Sequence, residues 1–329
     1  MTQKQRSPLV SIIIANNSKN PRSKEFLFSC LASIKKNTST SYEIIIKDGA
    51  FTGPAKARNL AVKKARGKYL LFLDYDTEVD KSWLKNTIQY LDKHPKIGGG
   101  QLKLLRLDRK TIFDSAGEKL TPFGFLAEQA QEAKDKGQFN KVQPIFSSKG
   151  AAMIVRKDVF EKISGFDKDY FMYWEEPDLT WRIWKAGYEF VFLPMGKVWH
   201  AYGTKKKKVE TKWDIQITCL GCRNHLATIV KNGVGLSGLK MLIFVANAWI
   251  GLFFLFLLKL DFRKAFAILQ SFYWLVINSS KILQKRADLI ERLGDKFYSD
   301  PKWMFQVKDS RGINWYLGKG ISYILGRPY

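Results

Sequence analysis

The stretch "ARGKYLLFLDYDTEVDKSWL", from Ala65 to Leu84, changes abruptly from apolar to acidic residues. Its segment "KYLLFLD" (Lys68–Asp74) is a short apolar run that ends in an acid, which predicts a buried parallel β-strand. A helix is expected to follow over residues 81–93. Ligands of open α/β sheets bind beyond the carboxyl ends of the strands, so Asp74 and Asp76 are expected at a binding edge.

Two earlier segments repeat this pattern. "LVSIIIA" (Leu9–Ala15) and "YEIIIKD" (Tyr42–Asp48) are rich in β-branched residues and predict two more buried strands. Helices are expected over residues 24–36 and 54–66. The alternation predicts an α/β fold with a mostly parallel sheet, helices on both faces and right-handed crossovers. The residues that follow the strands, Asp48 among them, then join Asp74 at one edge of the sheet.

Downstream of residue 93 the pattern is less regular. Gly98–Gly100 predict a flexible turn, because the segment lacks the features of a phosphate-binding loop. Residues 100–145 predict a hairpin or loops that cover the site.

Composition limits the kind of partner. The 329 residues carry a net charge of +25, of which residues 1–202 hold +12 and residues 203–329 hold +13. Because the excess is spread along the chain and no groove-reading motif is present, the sequence argues against a nucleic-acid partner. It favours acidic lipids or phosphorylated small molecules. Three cysteines make no disulfide framework, and Cys219, Cys222 and His225 lack an evident fourth zinc ligand.

Two apolar runs in the last third of the chain predict contact with membrane lipids. "MLIFVANAWIGLFFLFLL" (Met241–Leu258) is at the short end of the ~17–25 residues that span a bilayer, and "AFAILQSFYWLVI" (Ala265–Ile277) is shorter. A spanning hairpin, a re-entrant or interfacial second helix, and a buried pair of soluble helices are the alternatives. Basic flanks and the lack of an apolar N-terminal signal predict a cell-membrane protein whose main domain is cytoplasmic.

Two acidic segments are candidates for chemistry. "FMYWEEPDLTWR" (Phe171–Arg182) sets Glu175, Glu176 and Asp178 among bulky apolar residues, where a charge is costly unless it is used or paired. The alternative is a helix start whose acids favour the helix dipole. The Asp-x-Asp at residues 74–76 offers hard oxygen ligands that suit Mg²⁺ or Mn²⁺, and turn or cap chemistry is its alternative.

Three segments together resemble the family 2 glycosyltransferases. They are Ala65–Leu84, Gly165–Gly203 with its "WEEPDLTWR" and "VWH", and "CRNHLATIVKNG" (Cys222–Gly233). The second and third are similar to the bacterial rhamnosyltransferase-like branch, and the resemblance covers roughly residues 9–235. It implies a GT-A glycosyltransferase domain at 1–235, a membrane-associated helical hairpin at 236–280 and a basic C-terminal tail at 281–329.

The resemblance also implies roles for particular residues. The nucleotide-sugar site would contain Ala15, Asn16, Asn17, Asp48, Arg58, Asp74, Tyr75 and Asp76. The metal, Mn²⁺ or Mg²⁺, would be held by Asp76, Asp74 and His200. Glu176 would be the catalytic base, with Glu175 as the alternative. The acceptor or sugar would meet Gly150, Ala151, Trp174 and Tyr173, whereas Asp178 and Arg182 would form a structural i,i+4 pair.

The implied activity is a metal-dependent, inverting hexosyl transfer from a nucleotide-diphosphate sugar, with dTDP-rhamnose as the resemblance-based donor. The acceptor would be a glycan or a lipid-linked glycan in cell-surface polysaccharide synthesis. Transfer to polyprenyl phosphate and a non-catalytic nucleotide-sugar-binding membrane scaffold are the alternatives. The sequence departs from the family in three places: "ANNS" lacks the aromatic residue often found after the first strand, "DGAFTG" keeps only Asp48 of an acidic segment, and Glu176 replaces Asp.

Overall fold

A computed structural model describes residues 8–81, 83–201 and 211–301. The strands are β1 (Val10–Asn16), β2 (Tyr42–Asp48), β3 (Tyr69–Asp74), β4 (Thr77–Val79), β5 (Ile97–Arg106), β6 (Phe113–Ser115), β7 (Glu118–Leu120), β8 (Leu126–Glu128), β9 (Gln143–Pro144), β10 (Ala152–Arg156) and β11 (Glu189–His200). The helices are α1 (Ser23–Asn37), α2 (Pro54–Val62), α3 (Trp83–Lys93), α4 (Lys157–Lys162), α5 (Glu175–Lys185), α6 (Thr211–Asn232), α7 (Gly235–Leu258), α8 (Phe262–Ile277) and α9 (Ser279–Leu293), followed by a 3₁₀ turn, Gly294–Tyr298. The three predicted strands are confirmed to within one residue at each end.

The central sheet has the strand order β2-β1-β3-β10-β5-β11-β4, with β6 and β9 paired at its margins. Strands β1, β2 and β3 are parallel, as are β5 and β11, whereas β10 and β4 run antiparallel to their neighbours. The register sets Asn16 beside Asp48 and Ala15 beside Asp74. This mixed α/β fold with a mostly parallel sheet confirms the predicted class and brings both strand-end acids to one edge.

Helices cover both faces of the sheet, which explains why its strands are apolar throughout rather than alternating. Ile12 and Ile14 pack on one face with Cys30 of α1 and Trp83 of α3. The residue between them, Ile13, packs on the other face with residues of α2 and α5. A strand that is buried on both sides needs apolar residues at every position.

The predicted turn at Gly98–Gly100 is wrong, because these residues lie buried inside β5 between β10 and β11. A Cβ atom at Gly99 would lie 2.5 Å from the carbonyl oxygen of Ile154, and one at Gly100 would lie 2.3 Å from that of Val191. Close approach of two neighbouring backbones therefore explains the glycines. Helix α2 is also shorter than predicted, since it ends at Val62.

Residues 118–128 form the β7–β8 hairpin, in agreement with the hairpin or loops predicted for residues 100–145. Helix α7 is long and apolar enough to cross a membrane. Helix α9 contains the first residues of the segment predicted as a basic tail, and there the Arg286 guanidinium donates to the carbonyls of Val230 and Gly233 on and after α6. The predicted domain boundaries remain a prediction; the basic run 205–208 and residues 302–329 of the tail lie outside the described residues.

Candidate active site

Asp74, Asp76 and His200 meet at the carboxyl edge of the sheet. The cause is local: β4 starts directly after Asp76 and pairs with the end of β11, where His200 stands opposite Thr77. His200 Nε2 lies 3.4 Å from Asp76 Oδ1 and 4.0 Å from Asp74 Oδ2. One ligand atom from each of the three side chains lies within 4.8 Å of the others. Two carboxylate oxygens and an imidazole nitrogen suit a divalent cation such as Mn²⁺.

The three carboxylates around His200 favour a positive charge at this edge of the sheet. His200 Nδ1 lies 2.8 Å from Asp114 Oδ2, so the acid fixes the ring and leaves Nε2 facing the two aspartates. Burial by itself would lower the pKa of His200, but the hydrogen bonds with Asp114 and Asp76 and the charges of Asp76 and Asp74 raise it to about 10. The residues therefore fit a bound metal, which would supply the charge that the imidazolium proton otherwise provides.

Arg58 joins this edge to the start of α5. Its side chain is 2% exposed and lies in α2. Nη1 donates to Glu176 Oε1 at 2.7 Å, and Nη2 donates to Asp74 Oδ1 and to the Gly150 carbonyl, both at 3.1 Å. One buried guanidinium therefore holds two acids from distant segments of the chain close to each other.

Glu175 and Glu176 differ in their access to solvent. Glu175 is 3% exposed, and its Oε2 is buried without a hydrogen-bond partner among the described residues, whereas the Glu176 side chain is 14% exposed. Burial, and then the charge of Glu176, raise the pKa of Glu175 well above its ordinary value. Burial also raises the pKa of Glu176, although Arg58 opposes the shift. Both acids therefore bind protons more tightly than an exposed glutamate, and Glu176 is the one that a ligand can reach.

Only glycine fits at position 150, because Glu176 and Arg58 occupy the space that a side chain would need. A Cβ atom at Gly150 would lie 2.0 Å from Glu176 Oε1 and 2.5 Å from Arg58 Nη2. The next residue, Ala151, is buried, and its carbonyl accepts from the Asp74 backbone N–H at 3.3 Å. These two residues thus lie between Asp74 and Glu176.

The predicted nucleotide residues lie at the same edge, further along β1 and β2. Asp48 is exposed and accepts from the Ser18 and Ala50 backbone N–H groups at 3.2 and 3.0 Å. The side-chain oxygens of Asn16, Asn17 and Thr52 are buried and lack a hydrogen-bond partner among the described residues. Such orphaned acceptors fit a polar ligand.

Three aromatic residues near the site have different surroundings. The Tyr75 hydroxyl accepts from Asn20 Nδ2 at 2.7 Å, which ties the strand end to the loop after β1. Trp174 stacks on His225 with ring centroids 3.8 Å apart, so one face of its indole is covered and at most the other face can meet a sugar. Tyr173 is half-buried and stands beside it with a backbone φ of 69°.

Sequence reasoning missed four charged residues, one aromatic residue and Thr52 around the site. Lys149 Nζ lies 2.9 Å from Asp114 Oδ1 and 2.6 Å from Glu128 Oε1, and Glu128 stands opposite Glu118 in the β7–β8 hairpin. Burial and the charge of Glu128 raise the pKa of Glu118 to about 7. In the sequence, Asp114, Glu118 and Glu128 are visible only as single acids in short strand-like segments. Turns and surface strands have the same pattern, so it does not identify a site.

Phe51 is the missed aromatic residue. It follows Asp48 by three positions, is 76% exposed, and has Lys19 Nζ 4.0 Å from its ring centroid. The sequence shows that "DGAFTG" contains an aromatic residue, but only the fold shows that the Phe51 side chain is exposed close to Asp48. An exposed ring next to a cation offers a flat surface for another ring.

Together these residues provide three ligand atoms that could hold a cation, buried acceptors without a partner among the described residues, and a reachable glutamate whose pKa is raised. The cation site can bind the anionic part of a ligand through a metal, and the glutamate can take a proton from it. The bridge through Arg58 puts both functions within one small volume.

Comparisons with known proteins show which family model, relatives and solved fold this chain is similar to. Residues 3–164 match the family model "Glycosyl transferase family 2". An N-acetylglucosaminyl-diphospho-decaprenol L-rhamnosyltransferase of Mycobacterium tuberculosis is 40% identical over 58 residues, which are 18% of this chain and 19% of that protein. The rhamnosyltransferase WbbL of Escherichia coli is 27% identical over 159 residues, which are 44% of this chain and 60% of that protein. The matches thus span a fifth and about three fifths of the relatives' lengths.

A solved structure supports the fold. The crystal structure of GalNAc-T7 with UDP, GalNAc and Mn²⁺ superimposes with a TM-score of 0.55 at 14% identity and covers 69% of this chain and 48% of that chain. The likeness confirms the GT-A-like fold predicted from the sequence.

Proposed function

We propose that this chain, which carries a glycosyl transferase family 2 domain, is a metal-dependent, inverting glycosyltransferase of cell-surface polysaccharide synthesis. The observation that carries the proposal is the Arg58 bridge: one guanidinium contacts Asp74 at 3.1 Å and Glu176 at 2.7 Å. A candidate metal ligand and a candidate base therefore contact the same guanidinium. Sugar transfer from a nucleotide diphosphate needs such a pair, one group for the leaving diphosphate and one for the acceptor hydroxyl.

The donor would lie along the ends of β1, β2 and β3. The orphaned oxygens of Asn16, Asn17 and Thr52 are available to polar groups of the nucleotide, and Asp48 faces solvent beside them. Phe51 would stack on the base and so replace the aromatic residue missing from "ANNS". Asp74, Asp76 and His200 would hold a Mn²⁺ or Mg²⁺ ion, which when bound neutralises the charge that develops on the diphosphate.

Glu176 would take the proton of the acceptor hydroxyl. Its Oε1 is held by Arg58, which leaves the other carboxylate oxygen for the hydroxyl. The acceptor oxygen forms a bond to the anomeric carbon while the bond to the diphosphate breaks, and the diphosphate leaves with the bonding electrons. A single displacement of this kind inverts the anomeric configuration. Glu175 is less suited to the role, because it is almost fully buried and its pKa is raised well above the ordinary value.

The acceptor would be a glycan or a lipid-linked glycan. Gly150 and Ala151 lie beside Glu176, and Glu118, Glu128 and Lys149 add charged groups next to it. The mycobacterial relative is named as a rhamnosyltransferase that acts on a diphospho-decaprenol acceptor, and WbbL is also named as a rhamnosyltransferase. These names support dTDP-rhamnose as the first donor to test and a membrane-bound acceptor as the first acceptor.

The test is a thermal shift of the full chain in detergent with UDP, dTDP or GDP, each with and without Mn²⁺. A nucleotide at 100 times its Kd should stabilise the folded state by about 2.7 kcal/mol, a shift of a few degrees. The shift should require Mn²⁺ and should disappear in Asp76→Ala. Glu161→Ala, which removes a carboxylate that is 60% exposed on α4, is the matched control and should keep it. No shift with any nucleotide would reject the donor site; binding without turnover would favour the scaffold alternative.

A further inference from the structure

Large apolar side chains that face solvent are concentrated in one part of the molecule. Of the twenty exposed large hydrophobic residues in the described part of the chain, fifteen lie between residues 236 and 283. On α7 they are Leu236, Leu239, Ile243, Phe244, Ile250, Phe254 and Leu258. On α8 they are Phe262, Phe266, Leu269, Tyr273, Val276 and Ile277. We call these two sets the apolar face.

The spacing shows that the apolar face forms one strip on each helix, which on α7 is interrupted by the exposed amide of Asn247. Apart from Phe244 and Ile277, which directly follow Ile243 and Val276, the α7 residues recur at intervals of three, four or seven and the α8 residues at intervals of three or four. Each set therefore lies on one side of its helix. The opposite sides are packed: Met241 and Val245 of α7 and Ile268 of α8 belong to the same buried core as the sheet. Ser271 of α8 also donates to the Cys219 carbonyl of α6 at 2.9 Å. Each helix therefore packs one side against the core and presents one apolar side to solvent.

Contacts with the β7–β8 hairpin restrict how α7 can enter a bilayer. A Cβ atom at Gly124, in the hairpin turn, would lie 3.0 Å from Val245 Cγ2, and the Phe123 ring centroid is 4.7 Å from that of Phe244. The first eleven residues of α7 are thus packed beside the β7–β8 hairpin and cannot lie within the hydrocarbon core of a bilayer that α7 crosses. The remaining thirteen, residues 246–258, rise about 20 Å, whereas the hydrocarbon core of a bilayer is about 30 Å thick.

Charge at the two ends of α7 leads to the same conclusion. Lys240 is exposed near its start, and Lys259 and Arg263 are exposed in and after the turn to α8. Cations on both flanks of one apolar helix disfavour a single crossing, because Lys and Arg prefer the cytoplasmic side. The same cations would lie at the level of acidic lipid headgroups if the helix rested in the interface.

We propose that α7 and α8 lie side-on in one leaflet of an anionic membrane and that the apolar face is the surface buried there. These two helices then hold the chain on the membrane without crossing it. The proposal rests on the packing of these helices, and only its consequence, that the candidate site works beside a lipid-linked acceptor, rests on the proposed function.

The first experiment mixes the purified full chain with preformed vesicles of phosphatidylcholine, with or without phosphatidylglycerol, in the absence of any substrate. We expect co-sedimentation with the anionic vesicles that weakens at high salt. Phe254→Glu and Phe266→Glu each put a charge on a side chain that is 57% or 59% exposed, so folding should persist while vesicle affinity falls by ~10-fold or more. Phe28→Glu, at a residue 75% exposed on α1, is the matched control and should bind like the parent chain.

The second experiment separates an interfacial helix from a spanning one. In vesicle-bound protein, Lys259→Cys should react with a membrane-impermeant maleimide added outside, as fast as Lys240→Cys at the other end of α7. The parent chain, with Cys219 as its half-buried cysteine, sets the background. Protection of Lys259→Cys until detergent opens the vesicles would overturn the proposal in favour of a spanning α7. Failure of the parent chain to bind, or unchanged binding by both glutamate variants, would overturn it as well. Neither readout uses a nucleotide, so a negative thermal shift and a negative vesicle result can be told apart.

Discussion

Glu176 and Asp178, two residues apart in the first turn of α5, have pKa values shifted in opposite directions. Burial raises the pKa of Glu176, and the charge of Arg58 offsets this only in part. Burial would also raise the pKa of Asp178, but the charges of Arg182 and Lys231 hold it below its ordinary value. The Asp178 carboxylate is fully buried and that of Glu176 is 14% exposed, and the two also differ in the number of cations that each contacts.

The surroundings of each acid make the difference concrete. Asp178 receives two hydrogen bonds from Arg182, at 2.6 and 3.1 Å, and lies 2.7 Å from Lys231 Nζ and 2.9 Å from Asn232 Nδ2. Glu176 shares the single Arg58 guanidinium with Asp74, and Glu175 lies beside it. A fully paired buried acid fixes structure, whereas an underpaired one that solvent can reach is available for chemistry.

Glu176→Gln should have the largest effect and tests the functional side of this comparison. Glutamine can still accept from Arg58 but cannot take a proton, so kcat should fall by ~10²–10⁴-fold while the nucleotide-dependent thermal shift is kept. Because the pKa of Glu176 is raised, kcat of the parent chain should fall as the pH drops through a value above that of an exposed glutamate, about 4.3. Steady-state kinetics over a pH series measures both. If Glu175→Gln abolishes turnover and Glu176→Gln does not, the two roles are exchanged.

Asp178→Asn tests the structural side. The substitution leaves Arg182 and Lys231 buried with less negative charge, which should lower the free energy of unfolding by about 3–5 kcal/mol. Denaturant unfolding of the detergent-solubilised chain measures the loss, and Glu161→Gln on the surface of α4 should stay within about 0.5 kcal/mol of the parent. Turnover per folded molecule should be kept. A variant of normal stability without activity would move Asp178 to the functional group.

Asn224→Ala tests how α6 positions the acids. Asn224 Nδ2 donates to the Met172 and Tyr173 carbonyls at 3.0 and 2.9 Å, where Tyr173 and Trp174 hold positive φ values of 69° and 68° just before Glu175. Without these bonds the strained loop should relax and shift Glu176, and a displacement of about 1 Å can lower the rate ~100-fold.

The measurement for Asn224→Ala is kcat against the donor KM, since a positioning effect lowers kcat and leaves donor binding alone. Asn247→Ala removes an exposed amide whose hydrogen bond among the described residues stays within α7, to the Ile243 carbonyl, and serves as the control. Loss of donor binding together with stability, or full activity of Asn224→Ala, would reject the positioning role.

Phe51→Ala should have the smallest effect. Base–aromatic stacking contributes about 1–3 kcal/mol, so the donor KM should rise by ~10-fold or more while kcat changes little. Phe51→Tyr should restore the lower KM because it keeps the ring. Phe28→Ala removes an equally exposed aromatic residue on α1 and should leave KM unchanged. Equal KM values for Phe51→Ala and the parent would show that the base is held in another way.

The predictable part of the fold was the part encoded by local pattern. The β-branched run "VSIIIAN" and the segments "YEIIIKD" and "YLLFLD" became β1, β2 and β3, and their order alone brought Asp48 and Asp74 to one edge. The i,i+4 spacing of Asp178 and Arg182 likewise predicted their ion pair, which the structure has. In each case the partners are close in sequence or related by a regular repeat.

The glycines of β5 show where local pattern misleads. Gly98–Gly100 have the composition of a turn, yet they form a buried strand because β10 and β11 press against them from both sides. Those neighbours lie more than fifty residues away, so no window around the glycines contains the reason.

The sequence by itself thus determined the α/β alternation, the acids at the strand ends and the amphipathic or apolar character of the helices, since these follow from residue types at fixed spacing. Only the tertiary structure decided which acids are paired. Glu176 meets Arg58 across 118 positions of chain, and His200 meets Asp114 across 86. The charge on a buried carboxylate depends on the cations around it, and those cations come from segments that only folding brings together.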